Sequence, residues 1–147
     1  MRLRQYMKRQ KRRRGFYNLS TARSIGVLFD ASYERNYKIA SRFIEELRSK
    51  DLDARGLGYV KHREMINYLP HFEGMELFAL DSVNWFYFPA DSYAREFMHA
   101  EFDIFIDLTD EPYLVLKFIT GLSKAHLKVG KDKPPSQFFD LALAFNE

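Results

Sequence analysis

Apolar residues in this chain fall alternately into short continuous runs and into runs with helical spacing, and this alternation predicts an α/β domain. The first continuous run, Ser24 to Asp30, predicts a strand. The residues after it, to about Lys50, place their apolar side chains on one face of a helix. Ser32 is the candidate N-cap of that helix. A strand followed by an amphipathic helix begins a βαβ unit, so the pattern predicts a parallel sheet.

The central stretch of the chain is Glu101 to Asp110, a short apolar run closed by acidic residues. Such a run is typical of a strand that is buried on both faces. The spacing from Tyr113 to Leu122 predicts a helix after it, which Gly121 and Ser123 are expected to break. The other predicted elements are strands at Ala54–Lys61, Met75–Leu80, Ala125–Gly130 and Phe138–Phe145, and short helices at His62–Leu69 and Ser92–His99.

The last predicted strand is expected to form an edge of the sheet. Its connection to Ala125–Gly130 is too short for a helical crossover, so we expect Phe138–Phe145 to pair antiparallel. The whole pattern predicts a three-layer Rossmann-like or flavodoxin-like domain with a mostly parallel sheet of about five to six strands. Residues 21–147 form this single domain, and residues 1–20 form a basic N-terminal arm that is flexible unless bound.

Charge divides the chain into this basic arm and an acidic body. Residues 1–14 carry eight cations and no acid, whereas the rest of the chain carries fifteen cations and twenty acids. Dense cations neutralise phosphates and release counterions, and Tyr6, Phe16 and Tyr17 are suited to stack on exposed bases. The leading hypothesis is a non-enzymatic binding protein whose arm contacts RNA, with the ribosome as one candidate partner. The predicted RNA-binding residues are Arg2, Arg4, Lys8, Arg9, Lys11, Arg12, Arg13 and Arg14.

Two other interpretations of the arm stay open. It is either a solvated tail without a dedicated partner or a contact with an anionic membrane surface, in which Leu3, Tyr6 and Met7 enter the lipid. The membrane interpretation ranks below RNA because so few apolar residues support it. No apolar run has the roughly 18 residues that a transmembrane span needs. The chain has no cysteine, which excludes disulfides and thiolate metal sites and fits a cytoplasmic location.

Acidic residues follow two of the predicted strands and define a second hypothesis. Ligands of open α/β sheets bind beyond the carboxyl ends of the strands. The candidate ligand-binding residues there are Asp30, Asp107, Thr109 and Asp110. Such a cluster could hold Mg²⁺, bind a ribose hydroxyl or act as a base, which describes a small ligand-binding or enzymatic domain. Alternatively, these residues cap the helices that follow and accept hydrogen bonds from backbone N–H groups.

Motifs that would identify an enzyme are missing from the sequence. Neither GxxxxGK[ST] nor GxGxxG follows the first strand, and no GxSxG marks a nucleophile. The histidines His62, His71, His99 and His126 have no metal-ligand spacing. We therefore predict no catalytic residue, metal site or cofactor, and enzymatic activity is uncertain, with the balance against it.

An aromatic segment in the second half of the chain supports a third hypothesis. Trp85, Phe86 and Tyr87 are consecutive, and large aromatic groups that stay exposed usually contact a partner. The chain would then be a protein-interaction module. The alternative is that these side chains pack in the core.

Three short motifs carry a resemblance to a known group of proteins: Asp81–Phe86, Phe102–Thr109 and Leu127–Gly130. They resemble a family of small bacterial proteins of unknown function that have a basic N-terminal segment and an α/β body. The resemblance covers about residues 25–145 and implies a bacterial, cytoplasmic setting, but it implies no activity and no functional residue. The run ending in Lys128–Gly130 is more distantly similar to the N-terminal half of nucleotide-sugar glycosyltransferases. The chain is too short to contain the second, donor-binding lobe, so this similarity implies no transferase activity.

Overall fold

Six strands form one sheet in the part of the chain that the computed structural model describes, which is residues 3, 5, 7, 12–79, 92–110, 113–131 and 139–143. The strands are β1 (Ser24–Asp30), β2 (Asp53–Val60), β3 (Met75–Ala79), β4 (Ile104–Asp107), β5 (Leu127–Lys131) and β6 (Leu141–Leu143). The helices with defined bounds are α1 (Glu34–Ser49), α2 (Ser92–His99) and α3 (Leu114–Leu122), with a 3₁₀ helix at Arg63–Tyr68.

The strand order is β3-β2-β1-β4-β5-β6, and every neighbouring pair is parallel. This is the order of doubly wound sheets that bind dinucleotides, rather than the flavodoxin order. The prediction of a three-layer α/β domain is therefore confirmed. The observed bounds of β1 and α2 are those that the sequence pattern predicts.

Both faces of the sheet are covered by apolar side chains. One face packs against α1, where Val27 and Phe29 of β1 meet Ile44 and Leu47. The opposite face packs against α2 and α3, and its buried residues include Leu28, Phe97, Phe102, Phe105 and Ile119. Successive residues of β1 thus alternate between the two cores, as the two-residue period of a strand requires.

The start of α1 differs from the prediction. The N-cap residue is Tyr33, and its side chain makes no capping hydrogen bond. Ser32 lies outside the helix, where its Oγ accepts a hydrogen bond from the backbone N–H of Lys61 at 3.0 Å. The hydroxyl of Ser32 therefore ties the end of β1 to the end of β2 instead of capping the helix.

The predicted antiparallel edge strand is wrong, because β6 runs parallel to β5. Val129 pairs with Leu141 and Lys131 pairs with Leu143. Residues 132–140 connect the two strands, and nine extended residues span up to about 30 Å. That length is enough to return along a strand of five residues without a helix, so the usual minimum for a parallel crossover does not apply to so short an edge strand.

Residues of the N-terminal arm pack on the domain. Leu3, Gln5 and Met7 are helical, and Leu3 is buried against Phe118 of α3 with Met7 beside it. Gly121 lies inside α3 rather than breaking it. A Cβ atom at Gly121 would lie 3.1 Å from Sδ of Met7 and 3.2 Å from a Cδ of Leu3. The missing side chain of this glycine therefore lets the N-terminal segment approach the helix closely.

The close packing of β1 on Phe102 gives a first testable prediction. A Cβ atom at Gly26 would lie 2.5 Å from the ring of the buried Phe102. We expect Gly26→Ala to lower the free energy of unfolding in urea by about 1–3 kcal/mol, because an overpacked core forces side chains or backbone to shift.

The matched control is the double variant Gly26→Ala/Phe102→Leu. The smaller leucine leaves room for the added methyl group, so the double variant should lose less stability than the sum of the two single variants. Strictly additive losses would show that the two positions do not interact.

Candidate functional site

The candidate ligand site predicted from the sequence lies at the carboxyl ends of β1 and β4, where the strand order reverses. Leu28 of β1 pairs with Asp107 of β4, so Asp30 lies two residues beyond Asp107 toward the carboxyl end. Because Leu28 faces the core under α2 and α3, Asp30 and Asp107 face that same side of the sheet. The two strands that carry these acidic residues are neighbours in the sheet.

The carboxylate of Asp107 is engaged by neighbouring donors. Its Oδ1 accepts hydrogen bonds from the N–H and the Oγ1–H of Thr109 at 2.8 and 2.6 Å. Its Oδ2 accepts a hydrogen bond from Oγ1 of Thr120 at 2.8 Å. Thr120 belongs to α3, so Asp107 joins the end of β4 to that helix and closes the turn after the strand.

Asp30 is held less extensively. Its Oδ1 accepts a hydrogen bond from the backbone N–H of Ser32 at 2.8 Å. Neither Asp30 nor Asp107 caps a helix, because the N-caps of α1 and α3 are Tyr33 and Tyr113. The capping alternative is correct that these carboxylates accept hydrogen bonds from backbone N–H groups. It is wrong that they cap the following helices, because each carboxylate binds the turn directly after its strand.

The other two predicted ligand-binding residues separate. Thr109 is buried beside Asp107, whereas Asp110 is exposed and its Oδ1 lies 2.8 Å from Nζ of Lys131. Among the residues that the structure describes, no three His, Asp or Glu side chains are arranged to hold a metal ion.

A second polar region lies where the basic arm meets the domain. The guanidinium of Arg12 donates from Nη1 and Nη2 to Oδ2 and Oδ1 of Asp140, at 2.7 and 2.8 Å. Nη1 of Arg12 also donates to the backbone O of Ala125 at 3.0 Å. The N–H of Gly15 donates to the backbone O of His126 at 3.1 Å. These bonds fix the root of the arm, which we define as residues 12–17, against the start of β5.

The structure places the remaining predicted arm residues differently. Arg13 and Arg14 are exposed, and Nε of Arg14 lies 3.7 Å from Asp140. Phe16 is 94% exposed, while Tyr17 stacks on the ring of His126 with a centroid distance of 5.8 Å. Tyr6, Arg2, Arg4, Lys8, Arg9 and Lys11 lie outside the described residues, as do Trp85, Phe86 and Tyr87.

Lys128 lies beneath the root of the arm, in the middle layer of the domain. Only 2% of its surface is exposed, and its Nζ donates a hydrogen bond to the backbone O of Gly121 at 2.9 Å. Burial is the largest cause that lowers the pKa of the Lys128 ammonium; together with the charges of Arg12 and Arg14, and against the opposing charge of Asp140, it brings the pKa to about 7. The lysine therefore changes its charge near neutral pH.

Asp140 responds to the same surroundings in the opposite sense. Burial alone would raise the pKa of its carboxyl group, but hydrogen bonds from the Arg12 side chain and the Lys128 backbone N–H hold the pKa below its ordinary value. The carboxylate is thus ionised at neutral pH, and both of its oxygens accept hydrogen bonds from Arg12.

Comparison with known proteins assigns a family. The profile of a family of unknown function, DUF6913, matches residues 1–147. The chain belongs to this family. The prediction that the chain resembles a family of unknown function is therefore confirmed, whereas the bacterial origin and the glycosyltransferase similarity stay predictions. Comparisons with curated proteins and with solved structures gave no match.

Sequence reasoning did not single out the most unusual group in this DUF6913 chain, the buried Lys128. The alternation Leu127-Lys128-Val129 predicts a strand with one polar face. A signal was nevertheless present, because a strand inside a three-layer sheet has both faces covered and a lysine there is anomalous. Asp140 carried no comparable signal, since its partner Arg12 lies 128 residues away.

In the part of this DUF6913 chain that the structure describes, no helix is both long and apolar enough to cross a membrane.

The buried lysine predicts a pH-dependent stability. The pKa of Lys128 is about 7 in the folded chain and near its ordinary 10.5 in the unfolded chain. Between these values the unfolded chain binds more protons, so this group makes stability rise with pH by up to about 1.4 kcal/mol per pH unit. We expect Lys128→Met to raise the free energy of unfolding at pH 7 by about 1–3 kcal/mol, because the buried charge is removed.

Denaturation in urea at a series of pH values checks this expectation. The stability difference between Lys128→Met and the natural chain should shrink as the pH rises from about 7 to about 10. Lys124→Met is the matched control, since Lys124 is exposed four residues earlier. If Lys128→Met is the less stable chain at neutral pH, the ammonium contributes more through its hydrogen bond than its burial costs.

Proposed function

We propose that this chain is a binding protein whose basic arm contacts RNA, with the ribosome as one candidate partner. The observation that carries the proposal is Phe16, an aromatic side chain that is 94% exposed and follows two exposed arginines, Arg13 and Arg14. An aromatic ring stacks on any unpaired base, and guanidinium groups beside it neutralise backbone phosphates. A ring and cations on one short segment are the combination that single-stranded RNA requires.

The fixed root of the arm supports this proposal. Arg12 is bonded to Asp140, and Gly15 is bonded to the backbone of His126, on either side of Arg13 and Arg14. The backbone that carries the two exposed arginines is thereby held before any ligand arrives. Such preorganisation lowers the entropy that binding would otherwise cost.

The division of charge supports the proposal as well. The arm attracts a polyanion, whereas the rest of the chain, with fifteen cations against twenty acids, repels one. Contact would therefore be confined to the arm side of the molecule. A cytoplasmic location, where RNA is abundant, is part of the proposal.

Single-stranded RNA binding by variants of the root tests it. We expect Phe16→Ala to weaken binding of an unstructured oligoribonucleotide by about 1–3 kcal/mol, the cost of one lost base stack, with the salt dependence unchanged. The slope of log K against log salt concentration is negative, and Arg13→Ala/Arg14→Ala should reduce its magnitude by about 1.4. Each lost phosphate contact on a single strand removes about 0.7. Fluorescence anisotropy at several salt concentrations measures both quantities.

Two matched controls are available on the described surface. Arg35→Ala/Arg42→Ala removes the same charge from the exposed side of α1. Tyr68→Ala removes an aromatic ring that is 84% exposed. The proposal fails if the arm variants and these controls weaken binding equally, since the effect would then come from overall charge or surface area.

A small-ligand site at the carboxyl ends of β1 and β4 is a second candidate function. The observation that favours it is the position of Asp30 at the point of strand reversal, on the same side of the sheet as Asp107. Asp107 already accepts three hydrogen bonds within the fold, so Asp30 is the better acceptor for a ligand hydroxyl. A carboxylate accepts hydrogen bonds from hydroxyl groups such as those of a ribose.

Adenosine serves as the probe for this second function. We expect its addition to shift the backbone amide resonances of the residues after β1 and β4, and Asp30→Asn to abolish these shifts because the amide is a weaker acceptor for a hydroxyl. Asp53→Asn, at the exposed amino end of β2, is the control. Unchanged spectra of the natural chain at saturating adenosine would remove this function.

Two further hypotheses remain as proposals of lower rank. The protein-interaction module depends on Trp85, Phe86 and Tyr87, which lie outside the described residues. The contact with an anionic membrane surface uses the same cations as the RNA proposal, but Leu3 is buried in the fold and Met7 packs beside it. Those two side chains are then not available to enter a lipid surface.

A further inference from the structure

A cavity of about 520 Å³ lies between the root of the arm, the end of α3 and the strand β5. It is lined by Met7, Arg14, Gly121, Lys128, Phe139 and Asp140, among others. Lys128 is the second residue of β5, so the cavity lies toward the amino end of this strand. It is therefore separate from the candidate site at Asp30 and Asp107, which lies at the carboxyl ends of β1 and β4.

Among the described residues that line this cavity, cations outnumber carboxylates. Arg12, Arg14 and Lys128 bring three cations, and Asp140 brings one carboxylate. Arg12 occupies both oxygens of that carboxylate, and the backbone N–H of Lys128 donates to one of them at 2.9 Å. Both oxygens of Asp140 thus accept hydrogen bonds from Arg12 or from backbone, and the Lys128 ammonium is not among the described donors to them.

The hydrogen bonding of the Lys128 ammonium is also incomplete within the described residues. An ammonium group has three donors, and within the described residues Nζ donates to one acceptor, the backbone O of Gly121. That bond lies in the last turn of α3, where a cation also stabilises the end of the helix. Within the described residues, this structural role uses one of the three donors, and the ammonium lines a cavity where the described cations outnumber the carboxylates.

A bound oxyanion satisfies both deficits at once. Its oxygens accept the remaining hydrogen bonds of the ammonium, and its charge offsets Arg14 and Lys128. Hydrogen bonds between a cation and an oxyanion are among the strongest that proteins make, especially in a site with little water. The cavity is larger than a free phosphate or sulfate ion and is partly lined by Met7 and Phe139, so the ligand has an organic part as well.

We propose that this cavity binds a small molecule carrying a phosphate or sulfate group, with Lys128 and Arg14 as the residues that hold the anionic group. The proposal does not depend on RNA binding by the arm. The two proposals share Arg14, but this one also needs Lys128, which lies beneath the arm, whereas the RNA proposal also needs the exposed Phe16 and Arg13.

Sulfate is the probe for the anionic group, because it keeps its charge across the pH range of interest. Titration calorimetry on the full chain should show sulfate binding at about pH 7. We expect Lys128→Met to weaken it about 10- to 100-fold, the range for one charged hydrogen bond, and Lys124→Met to leave it unchanged. Circular dichroism verifies that Lys128→Met is folded, as its removed buried charge predicts.

The pH dependence gives a second, independent readout. Among the described residues, the other charged or titratable groups that line the cavity with Lys128 are Arg12, Arg14, His126 and Asp140. Above about pH 7.5, sulfate affinity of the natural chain should fall by up to about tenfold per pH unit as the Lys128 ammonium deprotonates. Lys128→Met should show no such fall.

Three results would overturn the proposal: no sulfate binding by the natural chain, equal binding by Lys128→Met, or an affinity that ignores pH above about 7.5. Inorganic phosphate in place of sulfate tests whether the site distinguishes the two anions. Arg13→Ala separates this proposal from RNA binding, since it should weaken RNA binding and leave sulfate binding intact.

Discussion

The ion pair between Arg12 and Asp140 determines how the basic arm meets the domain. The two residues are separated by nearly the whole chain, yet two parallel hydrogen bonds of 2.7 and 2.8 Å join them, and their side chains are mostly buried. This fork geometry fixes orientation as well as distance, which a lysine at position 12 could not do. The exposed position of Phe16, the cavity over Lys128 and the start of β6 all follow from where this pair holds the chain.

Burying several charges in one region adds little net stability to a fold. A buried ion pair seldom outweighs the cost of removing its charges from water, and an apolar group of similar size usually packs at lower cost. Lys128 contributes even less to stability, because its hydrogen-bond partner is a neutral carbonyl and two arginines lie nearby. Perturbed ionisable groups that line a cavity are more common at binding sites than in structural cores. The cluster of Arg12, Lys128 and Asp140 is therefore better explained by a ligand than by folding.

Periodicity was enough to predict the layers of the fold but not the contacts that make its sites. The spans of β1 and α2 follow from local patterns, because each strand or helix must bury its own apolar face. The direction of β6 does not, since nine connecting residues permit either orientation and only the packing at the edge selects one. Asp30 and Asp107 were located by the general rule for parallel sheets, whereas the partners of Asp107 on α3 depend on helix packing. The contact of Leu3 with α3 and the pairing of Arg12 with Asp140 join distant parts of the chain, which no local pattern encodes.

The two polar regions differ in how far the fold satisfies them, and this difference favours the arm side as the place of binding. At the carboxyl ends of the strands, Asp107 accepts three hydrogen bonds from threonines, so its chemistry is already used by the fold. Beneath the arm, one carboxylate faces three cations, and the buried ammonium donates one hydrogen bond to the described residues. A buried charged group that makes few hydrogen bonds is costly, whereas an acceptor with its full set of hydrogen bonds is not. A ligand gains more free energy where it completes hydrogen bonds than where it must displace them, so an anion beneath the arm is the stronger expectation of the two.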